Sequence, residues 1–237
     1  MSLFEKLRKP RFLLVYPMVP LVFLMASTTE RQLYLGITIV LLGECLRLWA
    51  NGYVGHVKVN WTQKRRGEAK IGRLVTAGPY AFVRHPLYLG TFLIGTGFCV
   101  IVGSVWLGGL ALAFFLTIYR RKMAQEEDLI REECGSAYDA YHAAIPRWLP
   151  TWRRYAAREG RWSWEGILAS KELKTLAWAI VVLLLLYFRM EFVQEREAFL
   201  VKHWLKRVCL LGLLVILVLA DGLFELMRWR SKRLPTA

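Results

Sequence analysis

Residues 86–121 read PLYLGTFLIGTGFCVIVGSVWLGGLALAFFLTIYRR. Two apolar runs, Leu87–Gly103 and Val105–Tyr119, meet at Gly103 and Ser104. Their apolar residues fall in blocks rather than on one periodic face, which is the pattern of helices embedded in lipid. The Gly-Ser break folds the two runs into a tight helical hairpin. Gly90, Gly95, Gly97, Gly108 and Gly109 are expected to line that hairpin, because small residues let helix backbones approach closely in lipid. Arg120, Arg121 and Lys122 end the second run.

Similar blocks lie on both sides. Phe12–Ser27 and Leu33–Ala50 precede the hairpin, and Leu173–Val193 and Val208–Met227 follow it. A spanning helix needs about 20 residues. The first block reaches that length only with its flanks, carries Pro17 and Pro20, and also fits the outline of a signal peptide. A retained helix fits better, since only a short link separates it from the second block. The expected fold is therefore all-α, a polytopic membrane helix bundle of about six transmembrane helices. The 237-residue chain is 56% hydrophobic, which excludes a disordered or collagen-like chain and disfavours an ordinary soluble enzyme.

The net charge of +15 would point to nucleic acid in a soluble protein. Here the basic residues cluster between apolar blocks, as in a membrane protein facing anionic lipid, so membrane lipids and not nucleic acid are the expected partners. Lys58, Lys64, Arg65, Arg66, Lys70, Arg73 and Arg84 crowd the 56–86 loop, and Arg228, Arg230, Lys232 and Arg233 the tail. With six spans these clusters share one side, the cytoplasmic one. The 194–207 loop, with Arg196, Lys202, Lys206 and Arg207, runs against that scheme, and the last two blocks also fit a shallow hairpin. Cys45, Cys99, Cys134 and Cys209 show no CxxC spacing, so they are read as reduced and structural, and no metal site is indicated.

Three groups of polar residues need a reason. Glu44 and Arg47 sit inside the second block, where each costs about 2.5–3.5 kcal/mol at the bilayer centre. Three residues apart, they share a helix face and are expected to pair with each other, as a structural ion pair or as the wall of a polar cavity. The densest group is Gly78-Pro-Tyr-Ala-Phe-Val-Arg-His-Pro-Leu-Tyr-Leu-Gly90. Pro86 suits the first turn of a helix, whose free N–H groups can meet a carboxylate. Tyr80 and Tyr88 offer faces for a cation, and His85 a ring nitrogen. The third group holds Lys122, Glu126 and Glu127, then Tyr138 and Tyr141. On a continued helix Lys122 and Glu126 share a face, which by itself also describes a solvated charged surface.

Leu74-Val-Thr-Ala-Gly-Pro-Tyr80 and Arg84-His-Pro-Leu-Tyr-Leu-Gly90, followed by Glu126-Glu127, Gly135-x-x-Tyr138-x-x-Tyr141 and Leu149-Pro150, resemble the isoprenylcysteine carboxyl methyltransferase family and its phospholipid-methyltransferase relatives. Arg47-Leu-Trp-Ala50 looks like the family's preceding helix. The resemblance covers roughly residues 33–150. It implies an integral-membrane methyltransferase core over 1–150, with 151–237 as a C-terminal extension. It implies S-adenosylmethionine as cofactor, held on the cytoplasmic side by Leu74, Val75, Tyr80, His85, Pro86, Leu87, Tyr88, Glu126 and Glu127. Glu126 and Lys122 are the expected catalytic pair, and the expected partner is a lipophilic or lipid-modified acceptor. Lys122 stands where the family's prenylcysteine enzymes carry Arg, and Lys does not reproduce a bidentate fork on a carboxylate. The acceptor thus stays open between a carboxylate, a lipid amine and a thiol. A non-catalytic membrane protein is the reading from another class; transport would call for internal repeats, which the sequence lacks.

Overall fold

The computed structural model describes residues 28–54, 74–170, 172–194 and 204–231. The first apolar block and most of the basic 56–86 loop lie outside these. The described residues form seven α-helices and no strand: α1 (Glu30–Val54), α2 (Pro86–Val102), α3 (Val105–Cys134), α4 (Ser136–Ala144), α5 (Trp164–Ala169), α6 (Glu172–Gln194) and α7 (Trp204–Ser231). Two of them are long and apolar enough to cross a membrane, Glu30–Val54 and Glu172–Val193. The apolar parts Pro86–Val102 and Val208–Asp221 are shorter.

The chain divides into two compact units, Met1–Glu172 and Leu173–Ala237. The first thus continues beyond residue 150. In the second, Lys174 Nζ lies 2.8 Å from Asp221 Oδ1, and the Trp178 indole N–H donates to Asp221 Oδ2 at 3.3 Å.

Within the first unit, α1 turns its small and polar residues inward. Gly36, Val40, Gly43, Glu44 and Asn51 are buried, while Leu35, Leu42 and Trp49 stay exposed. This inverted pattern suits a helix whose outer face meets lipid. The expected role of the glycines changes here. A Cβ on Gly36 would come within 2.6 Å of the Gly97 carbonyl oxygen, and one on Gly43 within 2.7 Å of that of Gly90. Gly90 and Gly97 therefore serve the α1–α2 contact, not the hairpin. Gly95 and Gly109 have open space in front of them, and Gly108 makes only an ordinary contact with Cys99. The hairpin turn itself is as expected. Gly103 takes a left-handed φ of 74°, and the Ser104 side chain caps α3 by accepting from the Leu107 N–H.

A second correction concerns Arg47. It does not pair with Glu44, whose two carboxylate oxygens have no hydrogen-bond partner. Its guanidinium reaches Glu172 instead, with Nε 2.5 Å from Oε1. Helix spacing shows which residues share a face, and a better-placed tertiary partner then takes the charge. All four cysteines are free.

Candidate functional site

The 74–85 segment is held in place by chain from well beyond it. The Thr76 and Ala77 N–H groups donate to the Glu159 carbonyl at 2.9 and 3.1 Å. The Thr76 hydroxyl donates to the Ala157 carbonyl at 2.9 Å and accepts from the Glu159 N–H at 2.8 Å. Gly78 then turns the chain with a φ of 64°, and a Cβ there would strike the Tyr53 ring at 2.2 Å. Only glycine meets both demands. A 3-10 turn over Gly78–Ala81 follows. The Tyr141 hydroxyl donates to the Tyr80 carbonyl at 2.7 Å, and the Arg84 N–H to the Pro146 carbonyl at 2.9 Å.

Pro86 opens α2, with His85 at the cap position, as its missing N–H favours. The His85 carbonyl accepts from the N–H groups of Tyr88 and Leu89. Its ring Nε2 lies 2.8 Å from Glu127 Oε1. Arg147 donates to both oxygens of the same carboxylate, from Nε at 3.1 Å and from Nη2 at 2.5 Å. Arg84 Nη1 stands 3.4 Å away. Burial by itself would raise the Glu127 carboxyl. The hydrogen bonds from His85 and Arg147 and the charges of His85 and Arg84 outweigh it and hold the group at about 2. Since the carboxylate stays ionised, His85 Nε2 carries the proton and donates. Nearby, burial pushes the Tyr138 hydroxyl up to about 12, with the Glu127 charge adding to it, and burial likewise raises Tyr80 and Tyr141.

Glu126 faces the other way. Its Oε1 accepts from the Tyr88 hydroxyl at 2.5 Å. The Lys122 ammonium lies over two rings, 5.4 Å from the Tyr88 centroid and 5.9 Å from that of Tyr119.

These groups surround a cavity of about 450 Å³, within the range of small-molecule sites. Leu74, Val75, Tyr80, His85, Pro86, Leu87, Tyr88, Lys122 and Glu126 all line it. Of the residues expected from the sequence, Glu127 alone is not among its lining residues. It is 3% exposed and stands behind the wall, fixing Arg84 and His85. Arg47, read from the sequence as an ion-pair partner or the wall of a polar cavity, also lines it; sequence reasoning left out Thr91 and Tyr119, which line it too, and Arg147. A charge inside an apolar block was the signal for Arg47. Thr91 and Tyr119 carried none, since both read as ordinary positions in apolar helices.

The wall suits a ligand bearing both charges. Tyr80, Tyr88 and the Glu126 carboxylate favour cationic groups, and Lys122 favours a carboxylate; the start of α2 does not offer the free N–H groups expected there, since Pro86 has none and those of Tyr88 and Leu89 donate to the His85 carbonyl.

Residues 35–132 match the model of the isoprenylcysteine carboxyl methyltransferase (ICMT) family. That range contains the Leu74–Gly90 and Glu126-Glu127 motifs, so the resemblance drawn from them is to the same family. Protein-S-isoprenylcysteine O-methyltransferase of Homo sapiens is 31% identical over 118 residues, 48% of this chain and 40% of the relative. Protein-S-isoprenylcysteine O-methyltransferase B of Arabidopsis thaliana is 30% identical over 118 residues, 48% of this chain and 57% of the relative. The nickel-cobalt-cadmium resistance protein NccN of Alcaligenes xylosoxydans xylosoxydans is 28% identical over 116 residues, 49% of this chain and 47% of the relative. The chain thus spans about half the length of the curated relatives it matches. No solved structure matches.

Proposed function

We propose that this chain is an integral-membrane methyltransferase that uses S-adenosylmethionine and acts on a lipophilic acceptor of the isoprenylcysteine carboxyl type. One observation carries the reading. Residues singled out from two motifs some 40 positions apart, Leu74 to Tyr88 and Glu126, line a single cavity. The similarity of residues 35–132 to the ICMT family gives that cavity its chemistry.

When bound, S-adenosylmethionine supplies a methyl group already activated on a sulfonium. The protein's work is then alignment and exclusion of water. The Tyr80 and Tyr88 rings flank the cationic part of the cavity. Tyr88 fixes Glu126 through its hydroxyl, so that the carboxylate faces positive charge in one orientation. Glu126 is also placed to take the proton that an amine acceptor would release, whereas a carboxylate acceptor releases none. Lys122 draws an anionic group toward the rings. Glu127 holds His85 and Arg84 in the wall. The proposal places about six helices in the membrane and opens the site to the cytoplasm, supported by the Lys and Arg clusters of the sequence.

The test is incubation of the purified full chain with methyl-labelled cofactor and a prenylcysteine acceptor, alongside calorimetry of cofactor binding. Tyr88→Ala is the variant of choice, because His85 is already committed to Glu127. Label on the acceptor, with cofactor affinity at least about tenfold weaker in Tyr88→Ala, supports the reading. An unchanged affinity removes the Tyr88 cluster from the cofactor site.

A further inference from the structure

Residues 162–170 lie beyond the family match and close over the end of α1. The Ser163 N–H donates to the Gly52 carbonyl at 2.9 Å. The Trp162 indole fills the space in front of Gly52, where a Cβ would come within 2.0 Å of its Nε1. Gly166 packs onto the Asn51 and Gly52 backbone so closely that a Cβ there would lie 2.8 Å from the Asn51 oxygen. This docking delivers Glu172, which is 2% exposed.

Glu172 takes one whole edge of the Arg47 guanidinium. Arg47 Nε donates to Oε1 at 2.5 Å and Nη2 to Oε2 at 3.0 Å, and the Asn51 amide adds a bond to Oε2 at 2.7 Å. The remaining nitrogen, Nη1, donates to the Leu87 carbonyl at 3.3 Å and to the Thr91 hydroxyl. Arg47, Leu87 and Thr91 all line the reaction cavity. The paired edge of a guanidinium is the geometry that binds a carboxylate bidentately, and here it already holds one. Glu44, also on α1, leaves that edge alone although its own oxygens are unpartnered. An incoming carboxylate would have to expel Glu172 and leave it buried without its cation, which is costly.

We infer that Glu172 is an internal carboxylate that occupies the Arg47 fork and so acts as a specificity-determining residue, turning the cavity away from anchoring an acceptor carboxylate through Arg47. The use of the cavity rests on the methyltransferase reading; the occupied fork does not. The Arg47 fork consequently adds little to the affinity for an acceptor ending in a free carboxylate, and that end is left to Lys122. Lys122 is the lining cation left without an acid partner among the described ion pairs, and it is a point charge, not a fork.

The experiment compares two probes with one tail, S-farnesylcysteine with a free carboxylate and its carboxamide. Their dissociation constants are measured on the detergent-purified full chain, with cofactor affinity recorded in parallel. Glu172→Gln keeps the size of the side chain and removes its charge. The expected result is a carboxylate-over-amide affinity ratio at least about tenfold higher than in the wild type. In Arg47→Met/Glu172→Gln that gain should vanish. An unchanged ratio in Glu172→Gln overturns the inference, even if stability falls. So does a gain that survives in the double variant, and so does failure of every variant to bind either probe. If Glu172→Gln does not fold, Asn51→Ala loosens the same carboxylate; a smaller gain supports the inference, and none overturns it. Missing cofactor binding in the wild type counts against the methyltransferase reading alone, because the probe ratio is read from binding.

Discussion

Two joints assemble the first unit, and they are built from opposite materials. Along α1 and α2, Gly36 meets Gly97 and Gly43 meets Gly90, backbone against backbone. Between α2 and α3, Gly95 and Gly109 face open space, and aromatic rings span the gap. Tyr88 meets Tyr119 at 5.2 Å, and Phe92 meets Phe115 at 5.4 Å. The far half of α3 is secured by charge, where Glu127 gathers His85, Arg84 and Arg147. A glycine seam has no titratable part and no slack. An ionic hub holds two elements apart at a set distance, which leaves room for a cavity, and it responds to pH. The frame and the site are in this way held by interactions that fail under different conditions.

The largest expected effect is at the hub. Glu127→Gln strands the Arg84 and Arg147 guanidinium groups and weakens the acceptor of the His85 ring, and losing one partner of a buried ionic network costs about 3–5 kcal/mol. The pH sign follows from the lowered carboxyl. Its contribution is fully present above the ordinary value of 4.5 and is lost as pH falls through about 2. Thermal unfolding in detergent should therefore show the gap between wild type and variant closing over that window. A gap that stays constant would mean the carboxylate is not the pinning group.

The seam comes next. Gly97→Leu would place a Cβ 2.7 Å from the Gly36 carbonyl oxygen, and overpacking of this kind costs about 3 kcal/mol. Unlike the hub variant, its deficit should not change with pH. A pH-dependent deficit would merge the two joints into one.

Glu126→Gln separates chemistry from assembly. It should lose at least about tenfold in turnover, roughly 1.4 kcal/mol, while unfolding at the wild-type temperature. Full turnover with unchanged cofactor affinity would make this face of α3 a merely solvated one. The smallest effect belongs to Gly95→Leu, with open space in front of it; stability should stay within about 0.5 kcal/mol of wild type. A large loss there would show that the hairpin is also a tight glycine seam.

Much of this was legible in the chain itself. The turn at Gly103, the helix start at Pro86 and the described helical blocks follow from local rules, and most of the cavity wall from the resemblance of its motifs to a family. A proline fixes its own φ, a glycine admits a positive one, and a motif keeps its spacing wherever it folds. What failed were two statements about who stands opposite. Glu44 and Arg47 share a face of α1, and spacing made them a pair, yet Glu172 reached Arg47 from 125 positions away. Gly90 and Gly97 were rightly read as a close-approach surface but assigned to the wrong neighbour. Glu126 and Glu127 are adjacent in sequence and about 100° apart around the helix, so one faces the cavity and the other the hub. The sequence by itself determined which segments are helical, where they break and which residues can carry charge or contact. Only the tertiary structure decided the partners, because a buried charge or a bare backbone is satisfied by whichever group packing brings within a few ångströms, and distance along the chain places no limit on that.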